Sequence, residues 1–97
     1  MKIQWTNGAV SEFIEGLGYI AAISPNSAAK MEEKILKYID ILSKQPLLGR
    51  IYEDVPEYRT LVVHKRYRIF YHIENLGNED VVMIDAFWHT SRDKWTP

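Results

Sequence analysis

The sequence predicts an α+β fold: an N-terminal strand, then an antiparallel helical hairpin packed on one face of a mainly antiparallel sheet, in the order β-α-α-β-β-β. Three observations carry it. Up to residue 44, apolar side chains recur at three- and four-residue spacings. From residue 58 onward the period changes to strand alternation in segments rich in β-branched and aromatic residues. Between the two helical stripes lies only Ser24-Pro25-Asn26, too short for anything but an antiparallel return. With 97 residues, 46% of them hydrophobic, and only 5 Gly and 4 Pro, the chain reads as a single domain over residues 1–97.

Taken in order, Ile3 and Trp5 alternate with Lys2, Gln4 and Thr6, which predicts a short strand with one buried face. Asn7 is placed to cap a helix whose stripe is Val10, Phe13, Ile14, Leu17 and Ala21, ending near Ile23, with Gly16 and Gly18 weakening it locally. Ser24 is a good N-cap, and Pro25 at the first helical position gives up only an amide that would be unpaired anyway. The second helix carries Met31, Ile35, Tyr38, Ile39 and Leu42 inward and Lys30, Glu33, Lys34 and Lys37 outward, and Pro46 ends it. Residues 46–56 read as a loop with a short edge strand at Ile51 and Tyr52. Tyr58 to Val63, Tyr67 to Glu74 and Val81 to Trp88 read as strands, separated by turns at 64–66 and around Asn75, Gly77 and Asn78. The last strand is apolar on both faces, hence central or covered. The tail HTSRDKWTP shows no regular element.

Composition narrows the function classes. No cysteine is present, so disulfides and thiolate metal ligands are excluded and an intracellular address is the more natural one. The N-terminus lacks a signal-peptide apolar region, and the longest hydrophobic run, YIAAI, is far short of a membrane span, so the chain is expected to be soluble and cytoplasmic with no membrane partner. Net charge is -1, which gives no global attraction to nucleic acid. The positive charge is local: Arg59, Lys65, Arg66 and Arg68 fall in a stretch without an acid. Histidines at 64, 72 and 89 are too scattered for a metal site, and no phosphate loop or nucleophile elbow occurs, so neither metal nor cofactor is expected.

On the strand from Tyr67, alternation puts Tyr67, Ile69, Tyr71 and Ile73 on the core face and Arg68, Phe70 and His72 on the other. Facing them from the last strand are either Asp85 and Phe87 or Ile84, Ala86 and Trp88. A cationic, aromatic-lined surface there can hold a phosphate and stack a base. The tail adds His89, Arg92 and Trp95 at one rim, with a proton carrier, a charge stabiliser and a base cover among them. The structural alternatives stay open: Arg68 paired with Asp85 or Glu74, and Trp95 folded back on apolar surface.

The segments YIAAISPNSAA, QPLLGR, VPEYRTL, YRIFYHI and FWHTSRDKW, in this order, make the chain similar to the RelE/ParE superfamily of toxins from bacterial type II toxin-antitoxin modules, over nearly its whole length. The resemblance implies a growth inhibitor held inactive by a cognate antitoxin whose C-terminal segment wraps the toxin. It implies one of two targets and no small-molecule substrate. RelE-like members cut mRNA on the ribosome; ParE-like members bind DNA gyrase and trap its cleaved-DNA complex without being nucleases. In the mRNA-cutting branch the motifs map to Arg68, His89 and Arg92 as catalytic candidates, with His89 as acid or base in attack of a ribose 2'-OH. Arg59, Arg66, Phe70, His72 and Trp95 are the candidate binding residues. The chain departs from RelE itself at Leu61, Val62 and Val63, where lysines are carried, and with its weak charge it leans to the ParE-like branch. The endoribonuclease, and a binding module that has lost its toxicity, are the alternatives.

Overall fold

In the computed structural model, which describes residues 1–97, the elements are β1 (Lys2–Trp5), α1 (Asn7–Ile23), α2 (Pro25–Lys44), β2 (Arg50–Ile51), β3 (Arg59–His64), β4 (Tyr67–Leu76) and β5 (Glu79–His89). They form one five-stranded sheet in the order β1-β5-β4-β3-β2, covered on one face by the helical hairpin. Three of the four pairings are antiparallel; β1 joins β5 in parallel, Ile3 beside Val82 and Trp5 beside Ile84. The mixed sheet is therefore β-α-α-β-β-β-β, the extra strand being the two-residue edge at Arg50–Ile51, one residue upstream of its expected place. No helix is long and apolar enough to cross a membrane.

Helix α1 departs from expectation in two respects. Its cap is Thr6, not Asn7: the Thr6 hydroxyl accepts from the Ala9 amide at 3.1 Å and donates to the Asp85 carbonyl at 3.3 Å, so the cap also ties the helix start to β5. Its inward face is Ala9, Phe13, Gly16, Leu17 and Ile20, which leaves Val10 outside and Ile14 63% exposed. The physical reason is Gly16. A Cβ there would lie 3.1 Å from the Phe87 ring and 3.3 Å from that of Tyr67, so the helix turns its smallest residue to the stacked aromatic pair and approaches the sheet closely.

Ser24 closes α1 and caps α2 at once: its amide donates to the Ile20 carbonyl and its hydroxyl accepts from Ser27, with Pro25 at the first helical position. α2 then buries Ala28, Met31, Ile35 and Leu42 as its stripe requires, with Tyr38 and Ile39 partly covered. The β4–β5 strands run further than the alternation suggested, to Leu76 and Glu79, and Gly77 takes φ +69 in the two-residue turn. Asn75 belongs to the ladder, and its side-chain amide donates to Asp80 at 3.0 Å. Ile73, expected in the core, is exposed.

The loop from Pro46 is held by one buried phenol. The Tyr71 hydroxyl donates to the Pro46 carbonyl and accepts from the Gly49 amide, both at 2.8 Å, and the Arg59 guanidinium donates to the Gly49 carbonyl at 2.8 Å. This is the structural content of the PLLGR segment. Tyr71→Phe would strand the Gly49 amide and the Pro46 carbonyl, and a loss of about 1–3 kcal/mol is expected in urea unfolding with unchanged slope. Gly49→Ala is expected to cost at least as much, because its Cβ would meet the Tyr71 hydroxyl at 2.7 Å and the Thr60 carbonyl at 2.9 Å.

Candidate functional site

The face of the sheet away from the helices is built by β4 and β5, and a bulge decides what it contains. Phe70 pairs with Ala86 and Tyr71 with Ile84, so Asp85 has no counterpart on β4. Phe87 and Ile84, three residues apart, can both face the helices only because of that extra residue, and Asp85 joins Ala86 and Trp88 on the other side. Neither of the two sets read from strict alternation is therefore correct for β5. The Asp85 carboxylate meets His72 Nδ1 at 2.7 Å, while His72 Nε2 lies 4.0 Å from Glu74 and the ring edge meets Tyr58. Burial pushes the Asp85 carboxyl up from its ordinary value, the His72 hydrogen bond and charge pull it back, and Glu74 adds to the rise. It is His72, not Arg68, that takes the acids.

The tail folds back across this face. Trp95 is 7% exposed and Phe70 2%, their rings stacked at 4.5 Å and 19°. Tyr52 and Tyr58 complete this second core from the 52–58 loop. Tyr52 donates to the Trp95 carbonyl at 2.6 Å, Trp88 Nε1 donates to the Asp93 carbonyl at 2.9 Å, and the Thr90 amide donates to the Arg66 carbonyl. Phe70 and Trp95, candidates for stacking a base, are thus stacked on each other and buried. The tail has no regular element, yet its backbone is anchored at three places.

What stays open is a cleft of about 340 Å³ in which Arg68, Arg92 and Lys94 face Asp54 and Asp93. Arg92 lies 4.0 Å over the Trp88 ring, opposite Arg68 in the ladder. Lys94 pairs with Asp54 at 3.4 Å and Arg92 with Glu12 at 3.5 Å, whereas Arg68 has no carboxylate within 4.0 Å.

His89 is elsewhere. It sits opposite Tyr67 on the helix side of the sheet, in a second cleft with Glu12, Glu15 and Arg66, and its ring edge meets Tyr67. Its Nδ1 accepts from the Ser91 amide at 3.1 Å and stands 2.6 Å from the Ser91 hydroxyl, which leaves the ring proton on Nε2. Arg92 borders both clefts; Arg68 and His89 open on opposite faces. Of the remaining candidates, Arg59 serves the Pro46 loop, and Arg66 is exposed in the β3–β4 turn. Sequence reasoning missed Tyr52, Tyr58 and the bulge. The aromatic pair in IYEDVPEY was the available signal, since rings in a charged loop need an apolar surface to cover.

A helical hairpin packed on a mixed five-stranded sheet is an architecture shared with solved chains of bacterial toxin-antitoxin systems. The chain is similar to a chain of the chromosomal ParDE TA system from P. aeruginosa, with TM-score 0.73 and 22% identity over 92% of this chain and 95% of that one. It is also similar to the YoeB/ParE toxin from Agrobacterium tumefaciens, with TM-score 0.63 and 19% identity over 92% of this chain and 98% of that one. A search of curated protein sequences finds no match. Residues 3–94 match the family described as ParE toxin of type II toxin-antitoxin system, parDE, and the chain belongs to that family.

Two outcomes follow for the covered face. Trp95→Ala opens the second core and is expected to cost about 3–5 kcal/mol, read as a lower urea midpoint. Asp85 sets a pH dependence. The folded chain holds its proton more tightly than the unfolded one, so its contribution to stability is complete below the ordinary 3.8 and is lost as pH rises through the folded value. The stability of the unaltered chain relative to Asp85→Asn should therefore fall with rising pH over that window; a flat or rising difference contradicts the assignment.

Proposed function

We propose that this chain, the toxin of a type II module, arrests growth as a DNA gyrase poison without being a nuclease, and that a cognate antitoxin neutralises it in the bacterial cytoplasm. The observation that carries this reading is that Arg68 and His89 open on opposite faces of the sheet, into different clefts. A 2'-OH attack on phosphate needs the proton carrier and the charge stabilisers within hydrogen-bond reach of one phosphate. Here the histidine presents only Nε2, into a cleft that holds Glu12 and Glu15 beside Arg66 and Arg92 but not Arg68. Phe70 and Trp95, the rings expected to stack a base, are stacked on each other in the second core. A gyrase poison needs no catalytic residue, and the near-neutral net charge of -1 suits a protein target better than a bed of rRNA phosphates. The similarity to a chain of a ParDE system supports the antitoxin as partner.

The mRNA endoribonuclease remains the second reading, favoured by one observation: Arg68 stands without a carboxylate partner in a cleft with Arg92 and Lys94. Induction in bacteria, followed by parallel mapping of mRNA 5' ends and gyrase-dependent DNA breaks, separates the two. The expected result is growth arrest with DNA breaks, retained in His89→Ala and relieved by co-expression of the antitoxin. Codon-positioned mRNA cuts that disappear in His89→Ala and Arg68→Ala would reverse the assignment.

A further inference from the structure

Four cations away from the sheet face described above share one cleft without a counter-charge. α2 contributes Lys30 and Lys34, and the β3–β4 turn contributes Lys65 and Arg66, across a space of about 560 Å³ that no Asp or Glu lines. Outside the cleft, Lys37 and Lys44 of the same helix pair at 3.4 Å with Glu33 and Asp40 one turn back. None of the four cleft cations has a carboxylate within 4.0 Å. Lys30 and Lys34 stand one turn apart, a spacing at which like charges destabilise a helix. The turn facing them is tied down: His64 Nδ1 accepts from the Arg66 amide at 3.3 Å, and the Arg66 carbonyl accepts from the Thr90 amide at 2.9 Å. The fold thus holds the cations together on packed elements, and burial first, then Lys34, Lys65 and Arg66, keep the His64 imidazole between them below its ordinary range.

The shape of the row says what kind of anion it suits. On α2 the cleft is lined by Ser24, Ser27, Lys30 and Lys34, spaced by three or four residues and so on one face, a line of donors roughly 15 Å long on the helical rise. A single phosphate occupies one end of such a line, whereas a regular run of phosphates occupies all of it. The lining also separates a duplex from a single strand. A single strand is held by aromatic rings under its bases, and the one ring here, His64, already leans on Tyr67 at 6.2 Å. The floor of Ile20, Ile23 and Met31 suits the methylene stems of the lysines and offers a base edge no hydrogen bond. A duplex keeps its bases stacked inside and needs only the row of charge for the phosphates outside. We infer that the cleft between α2 and the β3–β4 turn binds the phosphodiester backbone of a nucleic-acid duplex, with Lys30, Lys34, Lys65 and Arg66 as the phosphate contacts and no readout of base sequence. This site is distinct from the cleft of Arg68 and Arg92, where Asp54 and Asp93 face the cations.

The test is fluorescence anisotropy of the full chain with short labelled DNA and RNA duplexes, each in two unrelated sequences, over a range of salt concentrations. Binding at low salt is expected, with equal affinity for the two sequences, and the helix bound more tightly identifies the source of the phosphates. Four phosphate contacts give a slope of about −3 to −4 in log K against log salt. Lys34→Gln/Lys65→Gln should reduce the slope to about −2 and weaken binding about tenfold or more at the same salt, and Lys30→Gln alone should lower its magnitude by about 1. Lys37→Gln, outside the cleft, should change neither. All four lysines are exposed, and circular dichroism checks that each variant keeps the fold. No binding at low salt, a slope unchanged in Lys34→Gln/Lys65→Gln, a preference between the two sequences, or tighter binding of the matching single strand overturns the inference. So does binding that is lost in Arg68→Gln and kept in Lys34→Gln/Lys65→Gln, which would give the phosphates to the other cleft. The inference does not rest on the gyrase reading: a chain that makes no gyrase-linked breaks yet holds duplexes through these lysines keeps it, and a gyrase poison that binds no duplex defeats this inference alone.

Discussion

Strand β5 has to be dry on both sides. Val81, Val82, Ile84, Ala86 and Phe87 are all buried, and no strand with that composition can leave one face to water. Its neighbours follow from this. The antiparallel pairing with β4 fills one hydrogen-bonding edge; the other is met by β1 over Val81–Ile84 and beyond it by Thr6 and Glu12, and the hairpin covers one face through Phe13, Gly16, Leu17 and Ile35. The other face needs a second cover, and the only chain left to supply it is the 52–58 loop and the tail. Tyr52, Tyr58 and Trp95 are placed there for a packing reason before any functional one.

The bulge at Asp85 is the device that makes this arrangement compatible with a carboxylate in the middle of the strand. Without it, strict alternation from Phe87 would send Asp85 into the helix-side core and Ile84 outward. With it, Ile84 and Phe87 both enter the main core, and Asp85 turns to His72. The same register carries Trp88 to one face and His89 to the other, beside Tyr67. Residues that lie within a few positions of one another in the tail thus serve different surfaces. Arg92, stacked over Trp88 and paired with Glu12, is the one group that bridges them.

Much of the fold was legible. The Ser24-Pro25 junction, the α2 stripe, the edge strand near Ile51 and the doubly apolar last strand follow from spacing and cap chemistry, which are local. The errors have equally local appearance and non-local causes. The α1 face rotated because Gly16 accepts two rings contributed by β4 and β5, and a helical wheel treats glycine as a gap instead of a contact. The cap moved to Thr6 because its hydroxyl also finds the Asp85 carbonyl. Arg59 donates to the Gly49 carbonyl, a partner that no local spacing marks. The candidate site was legible as a set of residues and not as a place: which of Arg68, His89, Arg92 and Trp95 share a cleft is decided by the register and by the fold of the tail.

The sequence by itself determined the element order, the hairpin and the family resemblance, because period, capping and motif order are properties of neighbours along the chain. Tertiary structure alone decided that Phe70 and Trp95 are core, that His72 takes Asp85, that Arg68 stands unpaired and that His89 faces away from it. One extra residue in a ladder changes the face of everything beyond it. No spacing rule marks that residue, since the bulge is selected by packing on both sides of the sheet at once.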